Sequence, residues 1–476
     1  MPFYSWLKPR SGESKSSLQT KRRASTKLRA LREALDRHIE DADVTGDSTP
    51  PANSAAYVRI ATWNLREFDS ASYGYRSQEA KAYIAEIISR FDLIALQEIR
   101  RDLDALNDIK YLLGPNWDYV ATDVTEGSAG NHERMAYLFN RDKVWFRDVA
   151  GELTLPDGQK VTDPFGERFQ VVGGVQLELP DGQRIVSPQG LRNATLASGQ
   201  TKIEEDVEIA VPEGTKMVLP AGTTIRFADN ARVPVNAQGG IEIEDSARPR
   251  LPEAAEIVLP PHSLRGGSQQ FARTPYVAAF QAGWLKINLA TVHIYYGSGD
   301  VGVQRRAEEI RRLTALLADR ARSDSDSDAD AYFVALGDFN IVGPGHITMD
   351  ALNSNDFTIP EPLQSLKGTN VKQDKFYDQI ALWTGASKRR KSYTRLHSYR
   401  AGVFDFFDVV YRSDEEDTYR PFMRKPDGSG TYSSYSSWRT HQMSDHLPMW
   451  VELRIDFSGE YLSEIEAEID QKLAQD

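Results

Sequence analysis

The spacing of hydrophobic and polar residues predicts a mixed α/β domain that begins at about Tyr57. Residues 57–63 alternate with the period of a β-strand, and apolar residues recur at helical spacing over 80–91. The apolar run 93–97 is typical of a buried strand and places Glu98 at its end. Strand and helix patterns therefore alternate, as expected for sheets covered by helices.

The same alternation returns at Phe271 and continues to the strand pattern at 448–455. Further strands are predicted at 134–140, 144–146, 276–280, 284–294 and 332–336, and a helix at 303–318. Asp338 closely follows one of these strands, whereas Asp445 and His446 precede the last. Polar side chains therefore occur at strand ends in both parts of the domain.

Residues 151–268 interrupt this pattern and divide the mixed domain into residues 57–150 and 269–456. The motif Leu-Pro-Asp-Gly-Gln occurs at 155–159 and again at 179–183. Such turn motifs between short β-branched runs predict tight hairpins. We therefore expect an all-β insertion, and one hypothesis gives it a protein or surface partner.

Two segments lie outside the mixed domain. Residues 1–56 begin with a basic stretch that has ten Lys or Arg and four Asp or Glu up to Glu40, hence a net charge of +6. A helix over 17–39 would suit contact with nucleic acid, a membrane surface or a partner, but we expect a solvated, flexible appendage. Residues 457–476 predict an acidic helix that packs onto the body. Its apolar face contains Leu462, Ile465, Ile469 and Leu473.

Composition narrows the class of protein. Hydrophobic residues make up 40% of the 476 residues and charged residues 26%, as in soluble globular proteins. The net charge of −12 argues against coating of nucleic acid by the overall field, although it leaves room for local basic patches. The absence of cysteine excludes disulfides, thiolate metal sites and cysteine nucleophiles. Any metal ligand must therefore be an oxygen or a histidine nitrogen.

The chain shows no apolar run typical of a signal peptide or a transmembrane segment. A spanning helix needs about 18 or more consecutive apolar residues, and the sequence contains none. We expect a cytoplasmic protein, or one exported by a route without a standard signal peptide.

Candidate chemistry lies at the predicted strand ends. Glu98, Asp338, Asn340 and Asp445 occupy such positions, and Asn64 comes just after the first strand. Oxygen ligands of this kind suit Mg²⁺, which retains waters and leaves room for a substrate phosphate. One such residue alone would be explained as a turn or capping residue. Five at corresponding ends indicate a metal site.

Two of the eight histidines also lie at strand ends, beside these candidate ligands. His293 ends one strand and His446 directly follows Asp445. Cleavage of a phosphodiester needs proton transfer at the attacking water and at the leaving oxygen, and histidine titrates near neutral pH. The pattern therefore favours hydrolysis of a phosphate ester.

Eight short motifs occur in order over residues 57–456, outside the insertion. They are Ala61-Thr62-Trp63-Asn64, Leu96-Gln97-Glu98-Ile99-Arg100, Glu133-Arg134 with Tyr137-Leu138-Phe139, Phe271-Ala272-Arg273-Thr274-Pro275, Val292-His293, Gly337-Asp338-Phe339-Asn340, Tyr377-Asp378-Gln379-Ile380 and Ser444-Asp445-His446-Leu447-Pro448. Together they resemble the endonuclease/exonuclease/phosphatase superfamily, and most closely its deoxyribonuclease I-like members. The resemblance implies a four-layer α-β-β-α sandwich, whose packed sheets bring strand ends to one rim.

The resemblance also implies roles for the oxygen ligands. Asn64 and Glu98 resemble the ligands of one Mg²⁺, for which Mn²⁺ or Ca²⁺ are alternatives. Asp338, Asn340 and Asp445 resemble the group that holds a second metal or the scissile phosphate. We therefore predict that the carboxyl groups of Glu98 and Asp445 lie within one metal-binding radius of each other.

In this family two histidines, each oriented by a carboxylate, flank the phosphate. The matching pairs here are His293 with Glu133 and His446 with Asp378. We assign His446 to the attacking water and His293 to the leaving group. The implied reaction is in-line attack of water on the phosphorus of DNA, which leaves 5′-phosphate and 3′-hydroxyl ends.

Four positions and a basic cluster bear on the substrate. Arg100 resembles an arginine that enters the minor groove of DNA, and Arg273 resembles one that contacts backbone phosphate, with Asn64 also at the substrate. Asn131 stands where deoxyribonuclease I has an aromatic residue that stacks in the minor groove. A basic cluster adds a candidate phosphate-contact loop or a solvated loop: Lys388, Arg389, Arg390, Lys391, Arg395 and Arg400.

Other functions remain as alternatives. Sphingomyelinase-like and inositol-phosphate-type phosphoesterases share parts of the pattern, but the segment 376–380 departs from that of the inositol-polyphosphate phosphatases. A protein that acts mainly by binding through its β-rich insertion is the alternative from a different class. Loss of plasmid nicking in a His446→Ala variant would distinguish a nuclease from these.

Overall fold

The computed structural model describes residues 2–44, 53–70, 73–124, 133–155, 271–297, 299–323, 331–385, 396–424, 430, 432 and 434–474, and ten short strands between 156 and 270. The chain forms two compact units. Met1–Leu155, Phe271–Tyr295 and Glu309–Asp476 make up the first, and Pro156–Gln270 with Tyr296–Glu308 the second. Within the described ranges, none of the helices combines the length and apolar character that crossing a membrane requires.

The strands are numbered in chain order. Strands β1 to β5 are Tyr57–Phe68, Leu93–Ile99, Trp117–Ala121, Arg134–Asn140 and Trp145–Glu152. Strands β6 to β15 are Val161–Thr162, Val175–Glu178, Arg184–Ser187, Gln200–Lys202, Val207–Glu208, Thr224–Arg226, Arg232–Pro234, Arg250–Leu251, Glu256–Val258 and Ser268–Gln269. Strands β16 to β22 are Tyr276–Ala282, Leu285–His293, Tyr332–Asp338, Phe357–Thr358, Asp378–Trp383, Ser398–Val403 and Met449–Arg454.

The α-helices are also numbered in chain order. Helices α1 to α9 are Lys15–Glu40, Gln78–Ile88, Asp104–Leu113, Gly299–Arg322, Ile347–Leu352, Glu361–Gln364, Glu416–Tyr419, Tyr435–Gln442 and Ser458–Leu473. Short 3-10 turns occur at Ser5–Leu7, Ser54–Ala56, Phe406–Asp408, Ser413–Glu415 and Arg420–Phe422.

Two six-stranded mixed sheets form the centre of the first unit. The first has the order β21-β22-β1-β2-β4-β3, and the second has the order β19-β20-β18-β17-β16-β5. Each contains one parallel pair, β1 with β2 and β17 with β18, and the remaining neighbours are antiparallel. The carboxyl ends of two parallel pairs are therefore available to form one site.

The two sheets pack face to face, with polar groups satisfied across the interface. Gln97 on β2 donates to the Thr291 hydroxyl on β17 at 2.9 Å. The Tyr137 hydroxyl on β4 contacts the carbonyl oxygens of Tyr276 and Leu289 at 2.9 and 2.8 Å. Helices α1 to α3 cover the first sheet, and apolar residues of α4 are fully buried. The predicted four-layer α-β-β-α sandwich is confirmed.

The N-terminal segment corrects the expectation of a solvated appendage. Helix α1 buries Leu28, Leu31 and Leu35 in the same core as Trp450 of the first sheet. The apolar face expected from the sequence is therefore present, but it is packed against the domain rather than left in solvent.

Charge complementarity explains why this basic helix docks. Helix α2 buries Glu79 and Glu86, and a buried carboxylate is unfavourable unless it is paired. Arg23 binds Glu79 through two contacts of 3.0 and 2.6 Å. Arg32 binds Glu86 at 2.9 and 3.0 Å. These two arginines are consequently engaged within the fold and are not offered to nucleic acid.

The stability of the protein at mildly acidic pH tests the docking of helix α1, because His38 lies on this helix. Trp450 Nε1 donates to His38 Nε2 at 3.1 Å, so this nitrogen must be unprotonated, and burial lowers the pKa of His38. As the pH falls, His38 is therefore protonated in the unfolded chain before it is protonated in the folded protein. Stability is complete above the unfolded pKa of about 6.5 and falls below it by at most about 1.4 kcal/mol per pH unit.

We expect the free energy of unfolding, measured with urea at pH 7.5 and pH 5.5, to fall less in His38→Gln than in the wild type. Glutamine can accept the same hydrogen bond but does not titrate. An equal pH dependence in both proteins would contradict the assignment of His38 as a half-buried, neutral residue.

The C-terminal helix also differs from the expectation. Leu462, Ile469 and Leu473 of α9 are 57%, 51% and 69% exposed, and no residue of the helix is buried. The first turn is attached to the domain, because Tyr461 contacts the ring of Trp284 at 5.2 Å. The expected packing of the apolar face onto the body is therefore wrong.

The insertion begins later in the chain than the sequence suggests. Gly151 and Glu152 belong to β5 and pair with Val277 and Tyr276 of the second sheet, and the second unit starts at Pro156. Strands β7 and β8 form an antiparallel pair, as expected for a hairpin. The predicted turns at 155–159 and 179–183 lie mostly and wholly outside the described residues, respectively.

Candidate active site

Strand ends from both sheets meet at one rim. Asn64 and Glu98 lie near the carboxyl ends of the parallel pair β1 and β2. His293 ends β17 and is paired in register with Asp338 at the end of β18. Strands that run antiparallel to these start at the same edge, and three further candidates lie at such starts. They are Glu133 before β4, Asp378 on β20 and His446 before β22.

Asn64 connects the two sheets. Its side-chain amide nitrogen donates to Glu98 Oε1 at 2.8 Å and to Asp338 Oδ2 at 3.0 Å. Its amide oxygen accepts from the backbone nitrogen of Arg66 at 2.8 Å. This buried amide thus fixes one carboxylate from each sheet. Asn64, which was predicted to lie near metal and substrate, therefore also has a structural role.

Glu98 is held by unusual backbone geometry. Its φ is +59°, which is uncommon for a residue other than glycine and often marks a functional site. The pairing of β2 with β4 shifts register between Leu96 and Ile99, and such bulges re-aim side chains. The second carboxylate oxygen accepts from the backbone nitrogen of Glu67 at 2.6 Å. The carboxylate is therefore directed into the rim.

His293 forms the first histidine–carboxylate pair. Its Nδ1 lies 2.9 Å from Glu133 Oε1, and Arg273 forms an ion pair with the same oxygen. Burial acts to raise the pKa of Glu133, but the charges of His293 and Arg273 bring it below its ordinary value. Burial acts to lower the pKa of His293, yet Glu133 raises it overall. This arrangement favours the imidazolium.

His446 forms the second pair. Its Nδ1 lies 2.7 Å from Asp378 Oδ2, and Trp63 Nε1 donates to its carbonyl oxygen at 2.9 Å. Burial acts to lower the pKa of His446, but Asp378 and Asp338 hold it well above its ordinary value. Burial raises the pKa of Asp378, and the His446 charge offsets only part of that effect. The ring is thus fixed in position and tautomer.

Asp338 lies between the two histidines. Its Oδ2 is 3.6 Å from His293 Nε2 and 3.8 Å from His446 Nε2. Burial acts to raise the pKa of Asp338, but both histidines and the hydrogen bonds to the carboxylate lower it overall. The free Nε2 atoms of both imidazoles therefore face one common carboxylate.

Two neighbours of Asp338 shape the end of β18. A Cβ on Gly337, whose φ is +134°, would lie 2.3 Å from the Val292 carbonyl oxygen, so only glycine permits this close approach of β17. Asn340 donates its backbone N–H to Asp338 Oδ1 at 2.9 Å and its amide to the Ile294 carbonyl at 2.8 Å. Asn340 consequently orients Asp338 as well as lying near the site.

The residues at the rim fit a divalent cation. Glu98, Glu133 and His293 each offer a ligand atom, and these atoms lie within 4.8 Å of one another. Glu133 and His293 already form an ion pair with each other, however, and Mg²⁺ prefers oxygen ligands. Glu98 and Asp338, whose carboxylate oxygens are brought together by the amide nitrogen of Asn64, are therefore better ligands for a hard cation than the histidine pair.

Asp445 lies at the exposed side of the rim. Its side chain is 44% exposed and lies 3.4 Å from Arg66 Nε. Sharing of one ion by Glu98 and Asp445 stays a prediction, since Asp445 contacts a guanidinium here. Arg66 was not identified from the sequence, although its place two residues after the motif that ends at Asn64 is a usable signal.

The predicted substrate residues have different surroundings. Arg100 is partly exposed, with Nη1 3.8 Å from Glu67 Oε2. Arg273 is buried against Glu133, so its guanidinium lies beside the first dyad rather than on open surface. The prediction that Arg400 belongs to a phosphate-contact or solvated basic loop is wrong, because Arg400 binds Glu452 at 3.2 Å and the Ile39 carbonyl at 3.1 Å. Asn131, residues 388–391 and Arg395 lie outside the described residues.

Two supporting residues were not found by sequence reasoning. Thr369 accepts from the backbone N–H of Asp378 at 3.0 Å. Arg76 is buried and donates to the carbonyl oxygens of Arg66 and Met443 at 3.0 and 3.2 Å. Arg76 and Met443 lie far apart along the chain, so only the fold shows that contact.

The arrangement of paired histidines and carboxylates at a sandwich rim agrees with a family assignment from the sequence. Residues 61–446, more than half of the chain, match the model of the Endonuclease/Exonuclease/phosphatase family. The chain belongs to this family. It is therefore a phosphoesterase, because members of the endonuclease/exonuclease/phosphatase family hydrolyse phosphoesters.

Several solved structures are similar to this chain. A functionally unknown conserved protein from Enterococcus faecalis V583 is 14% identical, with a TM-score of 0.40 over 83% of this chain and 98% of that chain. A humanized TDP2 from D. rerio is 10% identical, with a TM-score of 0.39 over 84% and 99%. A mannosyl-6-phosphatase from Bacteroides thetaiotaomicron VPI-5482 is 15% identical, with a TM-score of 0.38 over 83% and 99%. No curated protein matches the chain in sequence.

Proposed function

We propose that the protein is a metal-dependent phosphodiesterase that cleaves DNA as a DNase I-like endonuclease and leaves 5′-phosphate and 3′-hydroxyl ends. The observation that carries this proposal is the pair of histidine–carboxylate dyads on either side of Asp338. Their contacts are 2.9 Å for His293 with Glu133 and 2.7 Å for His446 with Asp378.

Two positioned imidazoles suit the chemistry of a diester. One must accept a proton from the attacking water and the other must donate a proton to the leaving oxygen. We assign His446 to the water and His293 to the leaving oxygen. Both histidines have a raised pKa. The protonated form suits His293, which donates to the leaving oxygen, whereas His446 must first release its proton before it can accept one from the water.

Glu98, Asp338 and Asn64 are the residues that would hold the divalent ion, with Asn340 and Asp445 at the phosphate or at a second ion. Carboxylate and amide oxygens suit Mg²⁺, and also Mn²⁺ or Ca²⁺. When Mg²⁺ is bound, charge that develops on the phosphate oxygens is neutralised.

A polyanionic substrate is supported by exposed cationic groups around the acidic residues. Arg66 and Arg100 are each about a quarter exposed, and arginine contacts to phosphate supply most of the non-specific affinity for DNA. Arg66 lies near the end of β1, and Arg100 comes directly after β2.

The test is nicking of a supercoiled plasmid in Mg²⁺ by the wild type and by a His446→Ala variant purified in parallel. We expect nicking by the wild type only, and resealing of the nicks by DNA ligase, which requires 5′-phosphate and 3′-hydroxyl ends. Equal nicking by both proteins would refute the proposal. Release of phosphocholine from sphingomyelin, or of inorganic phosphate from inositol phosphates, in place of nicking would favour the other phosphoesterases.

A further inference from the structure

A stack of aromatic rings lies beside Asp445 and takes no part in the reaction described above. Tyr73, in the segment between β1 and α2, stacks on His441 of α8 with ring centroids 4.2 Å apart and an interplanar angle of 14°. Tyr432 contacts the same imidazole at 5.9 Å, and its hydroxyl donates to the Tyr73 carbonyl. His441 is buried, whereas Tyr73 is 38% exposed. The stack is therefore supported from within and open at Tyr73.

A single side chain links this stack to the candidate active site. Arg66 Nη1 donates to the hydroxyl of Thr440, the residue before His441. The same guanidinium lies 3.4 Å from Asp445 Oδ2. A substrate whose phosphate lies near Asp445 would consequently have its next chemical group close to Arg66 and the stack.

The support under Tyr73 is rigid. Gln442 of α8 accepts from the backbone nitrogen of Ser77 at 3.0 Å. Buried Arg76 donates to the carbonyl oxygen of Arg66, which precedes the segment, and to that of Met443, which directly follows α8. His441 is uncharged at neutral pH, because burial and the nearby arginines lower its pKa to about 4. A flat, neutral platform held in place loses little entropy when a ligand binds.

We propose that Tyr73, supported by His441 and Tyr432, stacks a base of the nucleic-acid substrate next to the scissile phosphate. This rests on the proposed function, since it names the substrate group that the same site recognises. Sugar phosphates and lipid headgroups offer no flat ring for such a surface, whereas every nucleobase does. Stacking on an aromatic side chain tolerates any base, so the preference would be for bases as such and not for a sequence.

The test compares two substrates with the same backbone, a short single-stranded oligonucleotide and its counterpart with abasic residues around the cleaved bond. The wild type should prefer the base-bearing strand in kcat/KM. Tyr73→Leu should reduce that preference roughly 5- to 150-fold, mainly through KM, and Tyr73→Phe should restore it. Tyr75→Leu is the matched control, because Tyr75 is two residues away and 71% exposed. An unchanged preference in Tyr73→Leu would overturn the proposal.

A binding measurement separates this inference from the proposed function. Fluorescence anisotropy with the same two strands on the His446→Ala protein needs no hydrolysis. Tighter binding of the base-bearing strand that Tyr73→Leu removes supports the platform even if the wild type cleaves no DNA. Equal binding of both strands rejects the platform even if plasmid nicking is observed. A thermal midpoint equal to that of wild type shows that Tyr73→Leu is folded.

Discussion

Replacing His446 with alanine is expected to lower kcat for phosphodiester hydrolysis by roughly 10²- to 10⁴-fold, the usual contribution of a general acid or base. The ring is fixed by Asp378 at 2.7 Å and faces Asp338 at 3.8 Å, so no neighbouring group can take its place at the same position. KM should change little, because the substrate contacts proposed for Arg66 and Arg100 remain. Steady-state cleavage of a fluorogenic oligonucleotide in Mg²⁺ gives both constants.

His397→Ala is the matched control for this experiment. His397 precedes β21 and contacts Tyr399 at 5.0 Å, and none of its contacts is with the dyads. We expect wild-type kcat for this variant. A His446→Ala protein that keeps kcat within about threefold of wild type, with an unchanged thermal midpoint, would show that the dyad has no part in the chemistry.

The position of the site could be predicted from the sequence because strand ends are visible in the hydrophobic pattern. The run 93–97 predicts where β2 ends, and so where Glu98 emerges. Partner choice could not be predicted in the same way. Glu133 and His293 lie 160 residues apart along the chain, and only the resemblance to the family suggested the pairs that the structure brings together.

Two helices with the same apolar spacing show what the pattern leaves open. Leu31 of α1 is fully buried and Leu473 of α9 is 69% exposed, although both lie on an apolar stripe. Burial in α1 depends on its partner surface, where Glu79 and Glu86 of α2 need cations. Helical periodicity predicts a face, whereas the partner surface decides whether that face is covered.

The backbone near the end of β1 is a third feature that no periodicity signals. Arg66 and Glu67 both have φ of +44°, and the pairing of β1 with β2 shifts register beyond Asn64. This distortion turns Glu67 N–H toward Glu98 and the Arg66 side chain toward Asp445. A regular strand would have placed alternate residues on opposite faces, so the sequence alone could not give these contacts.

Replacing Glu98 with glutamine is expected to have the second largest effect, through the metal. Glutamine keeps the shape but has a single acceptor oxygen, so it can accept from Asn64 or from the Glu67 backbone but not from both, and it removes one negative charge. At a Mg²⁺ concentration that half-saturates the wild type, we expect kcat to fall by roughly 10³-fold, because metal stabilisation of the transition state is worth several kcal/mol. Activity measured against Mg²⁺ concentration, with Glu466→Gln as an exposed control, gives this value.

Thermal stability separates loss of the metal from damage to the site. A ligand that binds only the folded protein raises the midpoint of unfolding, and the rise is larger when the ligand binds more tightly. Mg²⁺ should therefore stabilise the wild type and Glu466→Gln but not Glu98→Gln. Without Mg²⁺ the stability of the glutamine variant should stay close to that of the wild type, because relief of charge repulsion offsets the one hydrogen bond that glutamine cannot accept. Glu98 shares the amide nitrogen of Asn64 with Asp338, and one charge fewer reduces the repulsion between these carboxylates. Equal stabilisation of all three proteins by Mg²⁺ would show that Glu98 is not a ligand.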